Sequence, residues 1–128
     1  MLVHLATCRR FGPDLLFIEK RRVPRPRPQQ FEGAPDLALE VLSPSNRDYD
    51  LDDKRPAYRE AGVGEIWLVD PDEREITVDR RRGAGYTTKT HRRGKVASRV
   101  VNGFWIDAGW LWVDPLPDVP DCLRAILK

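Results

Sequence analysis

The chain has 128 residues, of which 41% are hydrophobic and 33% charged, and 22 basic against 20 acidic residues leave a net charge of +2. This length suits one domain with one hydrophobic core, so we expect a single domain over residues 1–128. The charge balance neither requires nor excludes a nucleic-acid partner. Cys8 and Cys122 form no CxxC or Cys/His cluster, which argues against a structural zinc site. Because the chain has no long apolar run and no signal peptide, we expect a cytoplasmic protein without a membrane segment.

The first third of the chain predicts strands separated by a loop. Residues 2–6 favour a short strand, and the apolar runs at 14–18 and 36–42 are typical of buried strands. The polar segment 19–33 contains three prolines. It predicts an exposed and partly mobile loop between the two buried strands.

A helix and a hairpin follow. We expect the helix over about 48–61, ended by Gly62, with either a kink or an irregular first half because of Pro56. Further elements are expected as strands at 65–70, 75–80 and 86–90, an aromatic patch at 104–113 and a short helix at 123–127. This order predicts an α/β fold, in which a mixed β-sheet carries at least one helix on a face.

Glu40 is a residue that an ordinary core does not explain. Its neighbours Leu39, Val41 and Leu42 indicate a buried strand, where an unpaired carboxylate would cost on the order of several kcal/mol. It therefore requires a cation, which is a metal ion, a lysine or an arginine in a structural ion pair. Asp36 lies four residues earlier, about 13 Å away along the strand, and is either a cap at the start of the strand or a secondary site residue.

Asp14 and Lys54 favour a site around Glu40. Asp14 stands at the start of its strand, either as a turn residue or as a second carboxylate, which a Mg²⁺ or Mn²⁺ ion would hold beside Glu40. Lys54 shares a helix face with Tyr58. It is either a lysine extending from the edge of that face, or an ammonium that orients water and stabilises a phosphate at the carboxylates.

These residues lie in motifs that resemble the Uma family, which comprises bacterial endonucleases of the PD-(D/E)XK superfamily. The similarity covers nearly the whole chain. Its segments are GPDLLF at 12–17, PDLALEVLSPS at 35–45, DLDDK at 50–54, YREAGVGEIWLVDP at 58–71, FWI at 104–106 and WLW at 110–112. The resemblance implies a restriction-endonuclease-like fold, a mixed β-sheet with flanking helices.

The resemblance also implies a role for each candidate residue. Asp14 is expected to be the metal-binding aspartate, Glu40 the second acidic ligand, and the backbone carbonyl of Val41 a third donor to Mg²⁺ or Mn²⁺. The superfamily pattern has a lysine two residues after the acid, where this chain has Leu42, so Lys54 is expected to replace it. The implied function is Mg-dependent hydrolysis of DNA phosphodiester bonds by an endonuclease.

Family members usually begin with a helix and strand ahead of the residue that is Met1 here. We therefore expect the N-terminal part of the family fold to be absent, and a homodimer is one way to cover the apolar surface that this leaves. A second hypothesis remains open. The chain is then a non-catalytic nuclease-like domain that binds nucleic acid or a protein partner without cutting.

Overall fold

The computed structural model describes residues 1–5 and 9–128. Its strands are β1 Leu2–His4, β2 Arg10–Phe11, β3 Leu15–Phe17, β4 Gln30–Glu32, β5 Leu37–Val41, β6 Glu65–Asp70, β7 Glu75–Arg82, β8 Gly85–His91, β9 Lys95–Ala97 and β10 Trp105–Asp107. The helices are α1 Arg47–Tyr49, α2 Arg55–Ala61 and α3 Val119–Ile126, with a π-helical turn at Asp50–Lys54 and 3₁₀ turns at Lys20–Arg22 and Ala108–Leu111. The predicted end of the first strand, at residue 6, and Cys8 lie outside the described residues.

A five-stranded sheet, ordered β3-β5-β6-β7-β8, forms the centre of the fold. Only β5 and β6 are parallel in it, with Leu37 opposite Glu65, and the other neighbours are antiparallel. Parallel strands need a crossover, and the helical segment from α1 to α2 supplies it. Smaller sheets of β2-β1-β4 and β9-β10 complete the architecture. This arrangement confirms the predicted mixed α/β class.

The two faces of the five-stranded sheet bury separate apolar clusters. The cluster on the face under α2 includes Ala38, Leu42, Ile66 and Leu68, together with Ala57 and Tyr58 of α2. The opposite face includes Leu37, Trp67, Val69, Ile76 and Val78, against which Phe104, Ile106 and Trp112 pack. Because side chains alternate along a strand, Glu40 shares its face with Ala38 and Leu42 and points toward α2.

The strand predicted at 14–18 is confirmed as the shorter strand β3, but the prediction that it is buried is wrong. Leu15 is 52% exposed, because β3 lies at the edge of the five-stranded sheet, next to β5. The segment 19–33 is also not a plain loop. It contains β4, whose Phe31 is buried and pairs with Val3 of β1.

The other differences are the short strand β2, which was not predicted, and elements toward the C-terminus. The terminal helix α3 begins at Val119, four residues before the predicted start, and β9 had no counterpart in the prediction. None of the helices in the described residues has the length and apolarity needed to cross a lipid bilayer.

An ion-pair network fixes α2 to the sheet. Asp79 of β7 is fully buried, and its two carboxylate oxygens accept hydrogen bonds from Arg55 at 2.7 and 2.8 Å and from Arg59 at 3.0 Å. The hydroxyl of Thr88 in β8 donates another at 2.7 Å. The network therefore joins α2, β7 and β8 through one carboxylate.

Gly64 marks the point where the parallel pair of strands begins. A Cβ atom at this position would lie 2.6 Å from the carbonyl oxygen of Asp36, which also accepts the hydrogen bond of Glu65 N–H at 2.9 Å. We expect Gly64→Ala to lower the free energy of unfolding by about 1–3 kcal/mol, because the backbone must move to relieve the overlap. Urea denaturation measures this change.

Gly85→Ala is the matched control. A Cβ atom at Gly85 meets nothing within 4 Å, so the same change of residue is expected to alter stability by less than about 0.5 kcal/mol. Equal stability of the two variants would show that the close approach of Gly64 to Asp36 is unimportant.

Candidate active site

Glu40 lies at the centre of a buried polar cluster. Its side chain is 1% exposed, and it accepts a hydrogen bond from the Tyr58 hydroxyl at 2.8 Å. The ammonium group of Lys54 lies 3.2 Å from Oε1 and 3.1 Å from Oε2 of Glu40. Burial raises the pKa of Glu40, while Tyr58 and Lys54 act to lower it. The cation that the sequence required here is thus a lysine, not the arginine of a structural ion pair.

Lys54 bridges two carboxylates. Besides Glu40, it lies 3.6 Å from Oδ1 of Asp50, which is 3% exposed. Burial lowers the pKa of Lys54, but the charges of Glu40 and Asp50 outweigh that effect and the net shift is upward. Lys54 therefore remains a cation at neutral pH.

The local backbone around Lys54 follows from Pro56. Proline has no N–H group, and its ring clashes with the carbonyl four residues earlier in a regular α-helix. The helix responds with a π-helical turn, in which Arg55 N–H bonds to the carbonyl of Asp50. The irregular first half predicted for this helix is confirmed, and Gly62 ends it in the left-handed conformation with φ of 84°.

Asp14 lies at the open end of the same cluster. Its Oδ2 accepts a hydrogen bond from Val41 N–H at 2.7 Å. The β3–β5 register pairs Leu15 with Leu39, so the next step places Asp14 opposite Glu40. The charge of Asp14 contributes to the raised pKa of Lys54. Asp14, Glu40 and Lys54 are therefore brought together.

The carbonyl group of Val41 faces the same side as Asp14. Leu42 N–H bonds to Val69 of β6 at 2.8 Å, and backbone groups of successive residues in a strand point to opposite sides. The N–H and carbonyl groups of Val41 thus face away from β6. The pairing of β3 with β5 ends at Leu15, so this carbonyl lies beyond the paired stretch.

Comparison with known proteins assigns the family. A family model described as "Uma2: Putative restriction endonuclease" matches residues 1–109. The chain belongs to the Uma2 family. No curated protein matches it. The family expected from the sequence motifs is thereby confirmed.

A solved structure shares the fold of this Uma2 chain. It is described as "a putative nuclease belonging to DUF820 from Anabaena variabilis ATCC 29413", and it superimposes with a TM-score of 0.73 at 21% sequence identity. The match covers 87% of this chain and 64% of that one. At this identity the likeness establishes the fold only.

In this Uma2 chain, Asp36 lies outside the cluster around Glu40. Asp36 precedes β5 at the end opposite Val41, accepting hydrogen bonds from Glu19 N–H at 2.8 Å and from Arg22 at 2.7 Å. It therefore caps the start of the strand, as one of the two expectations had it, and does not contact Glu40.

Two members of the cluster did not emerge from the sequence. The sequence patterns put Tyr58 on the helix face of Lys54 and Asp50 in the DLDDK motif, without giving either residue a role. Both lie four residues from Lys54, one on each side, which is a same-face spacing in a helix. That spacing was a usable signal for both residues.

The donor set fits a hard divalent cation by its chemistry. Carboxylates and backbone carbonyls are the oxygen ligands that Mg²⁺ and Mn²⁺ prefer, and Asp14, Glu40 and Val41 supply both types. In the present arrangement, no group of three His, Cys, Asp or Glu side chains converges closely enough to hold a metal among residues 1–5 and 9–128. The ammonium of Lys54 instead neutralises Glu40.

Proposed function

We propose that this Uma2 domain is a metal-dependent endonuclease that hydrolyses phosphodiester bonds of DNA, with Mg²⁺ or Mn²⁺ as its cofactor. One observation supports the proposal above all: the ammonium group of Lys54 contacts the buried carboxylate of Glu40, next to Asp14. An acid pair that can hold a divalent metal ion, with a lysine beside it, is able to catalyse phosphodiester hydrolysis.

Each residue has a distinct role in this proposal. The carboxylates of Asp14 and Glu40 and the carbonyl of Val41 would hold the metal, which when bound lowers the pKa of a water molecule and polarises a phosphate oxygen. Lys54 keeps its charge at neutral pH and places it where a phosphate gains negative charge in the transition state. Tyr58 fixes the orientation of Glu40 through its hydrogen bond.

A plasmid-nicking assay with Mg²⁺, Mn²⁺ or EDTA tests the proposal. We expect the wild type to nick DNA only with metal. Lys54→Met, which removes the ammonium but keeps most of the apolar chain, is expected to lower the rate roughly 10²- to 10³-fold, the usual effect of losing one charge-stabilising donor. Asp14→Asn is expected to lower it as well.

The control is Lys89→Met in β8, an exposed lysine outside the cluster, which should nick DNA at the wild-type rate. Circular dichroism establishes that each variant is folded. Equal activity of Lys54→Met and Lys89→Met would refute the role given to Lys54, and metal-independent activity would refute the cofactor.

A second candidate function is a nuclease-like domain that binds nucleic acid or a protein partner without cutting. It is favoured by the two hydrogen bonds of Lys54, which occupy both oxygens of Glu40. Titration with Mn²⁺ separates the two candidates. A catalytic site binds the ion and loses that binding in Asp14→Asn, whereas a non-catalytic domain shows no binding in either protein.

A further inference from the structure

Tyr49 is the most exposed aromatic residue in the described part of the chain. Its side chain is 47% exposed, while the tryptophans, phenylalanines and other tyrosines are buried or half-buried. It is the last residue of α1, directly before the π-helical turn that carries Lys54. An exposed aromatic ring therefore lies next to the buried polar cluster around Glu40.

Two cations lie close to an aromatic pair formed by the exposed ring of Tyr49 and the buried ring of Phe11. The ammonium of Lys54 lies 5.6 Å from the centre of the Tyr49 ring. The ring centres of Phe11 and Tyr49 lie 6.3 Å apart, and the guanidinium of Arg9 lies 4.9 Å from the centre of the Phe11 ring. Arg9 is itself exposed.

We infer that Tyr49 stacks on an unpaired base of a DNA strand whose backbone passes Lys54. The inference rests on the proposed function and names the form of substrate that the site accepts. Alternating cations and aromatic rings are the features that bind single-stranded nucleic acid, because phosphates meet the charges and bases stack on the rings. Arg9 supplies a second charge for the same strand.

The depth of the cluster explains why the base is unpaired. Glu40 is almost fully buried and Lys54 is only 13% exposed on its side chain, so a phosphate must approach closely to reach them. Bases in an intact duplex have their faces covered by neighbouring base pairs. The ring of Tyr49 can stack only on a base that has left the duplex or was never paired.

Binding of oligonucleotides tests this inference. The probe is a single-stranded DNA oligonucleotide containing 2-aminopurine, compared with its duplex, in EDTA so that no cleavage occurs. For the single strand, we expect Tyr49→Ala to weaken binding roughly 5- to 100-fold, which is the change in affinity expected when one base loses its stacking on an aromatic ring. We expect Tyr49→Phe to bind within about twofold of the wild type, because the phenyl ring still stacks. The fluorescence of 2-aminopurine reports stacking directly.

Leu123→Ala is the control, since Leu123 is similarly exposed, at 49%, but lies on α3. It should bind the strand as the wild type does. Equal weakening by Tyr49→Phe and Tyr49→Ala would overturn the inference, because a lost hydroxyl or a local rearrangement would then be responsible. Binding of the duplex as tight as that of the single strand would overturn it too.

The outcomes separate this inference from the proposed function. If the wild type cleaves DNA but Tyr49→Ala binds the single strand as tightly as the wild type does, only the stacking inference is refuted. A wild type that never cleaves, yet binds the strand through Tyr49, refutes the nuclease function and leaves the stacking site in place.

Discussion

A Glu40→Gln protein is expected to remain folded, because Asp50 still pairs with Lys54, and to lose metal-dependent cleavage by roughly 10³-fold, since a bound metal contributes several kcal/mol to the transition state. Glutamine has nearly the shape of glutamate, and its carbonyl oxygen still accepts a hydrogen bond from Tyr58. It carries no charge, so it is a poor ligand for Mg²⁺ and no longer neutralises Lys54. Initial rates of plasmid nicking measure the loss.

Asp36→Asn is the matched control for this prediction. It removes a carboxylate beside the same strand, but one that pairs with Arg22 and does not contact Glu40. It should cleave DNA at close to the wild-type rate.

If Glu40 were purely structural, Glu40→Gln would keep its activity, and Glu40→Ala would lower the free energy of unfolding by roughly 3–5 kcal/mol through the stranded charge of Lys54.

Asp79→Ala is expected to have the largest effect on stability, lowering the free energy of unfolding by about 3–5 kcal/mol. The substitution leaves the guanidinium groups of Arg55 and Arg59 without their shared carboxylate and detaches α2 from β7. Asp121→Ala is the control, because its pair with Arg124 is exposed and is worth less than about 1 kcal/mol. Urea denaturation compares the two, and similar losses would contradict the importance of burial.

The same carboxylate predicts a pH dependence of stability. Burial raises the pKa of Asp79, but the hydrogen bonds from Arg55, Arg59 and Thr88 outweigh it and bring the pKa to about 2, below the usual 3.8. A lowered pKa in the folded state stabilises the protein above about pH 4, and that contribution disappears as the pH falls toward 2. The contribution is about 2 kcal/mol, which is less than the effect of truncation because protonation leaves the side chain in place.

Asp79→Asn isolates this contribution. It lacks the titrating group, so its free energy of unfolding should fall less steeply than that of the wild type between pH 4 and pH 2. Identical slopes in that window would show that Asp79 does not titrate as described.

Local sequence signals accounted for much of the fold. The continuous apolar run at 66–69 is typical of a central strand, and β6, which extends from Glu65 to Asp70, is buried along its whole length. Pro56 and Gly62 fixed the irregular start and the end of the helix, because each imposes its own backbone geometry. These features depend on neighbouring residues, which is why the sequence reveals them.

The remainder depended on pairing between distant segments. Leu15 lies in an apolar run like that of a central strand, and only the sheet order makes it an exposed edge residue. Phe31 is buried because β4 adds to β1, a contact that the proline-rich sequence around it does not signal. Local pattern indicates that a strand exists but not how many neighbours it has.

The candidate site divides in the same way. Glu40 stands out in the sequence because it is a charged residue in an apolar strand. The spacing of Lys54 on its helix predicts that it faces the sheet, where Glu40 lies. Spacing puts Asp50 and Tyr58 on the helix face of Lys54, but the contact of Tyr58 with Glu40 depends on how the helix packs on the sheet. The carboxylate of Asp14 lies at the cluster only because β3 pairs with β5 in one particular register.

Crystals of the protein grown with Mn²⁺ test whether Glu40 is a metal ligand, because anomalous scattering locates the ion without reference to activity. We expect a manganese peak bound by the carboxylates of Asp14 and Glu40 and by the carbonyl of Val41, with Lys54 displaced from at least one oxygen of Glu40. A structure at saturating Mn²⁺ with no peak there, and with Lys54 still bonded to both oxygens of Glu40, would contradict it.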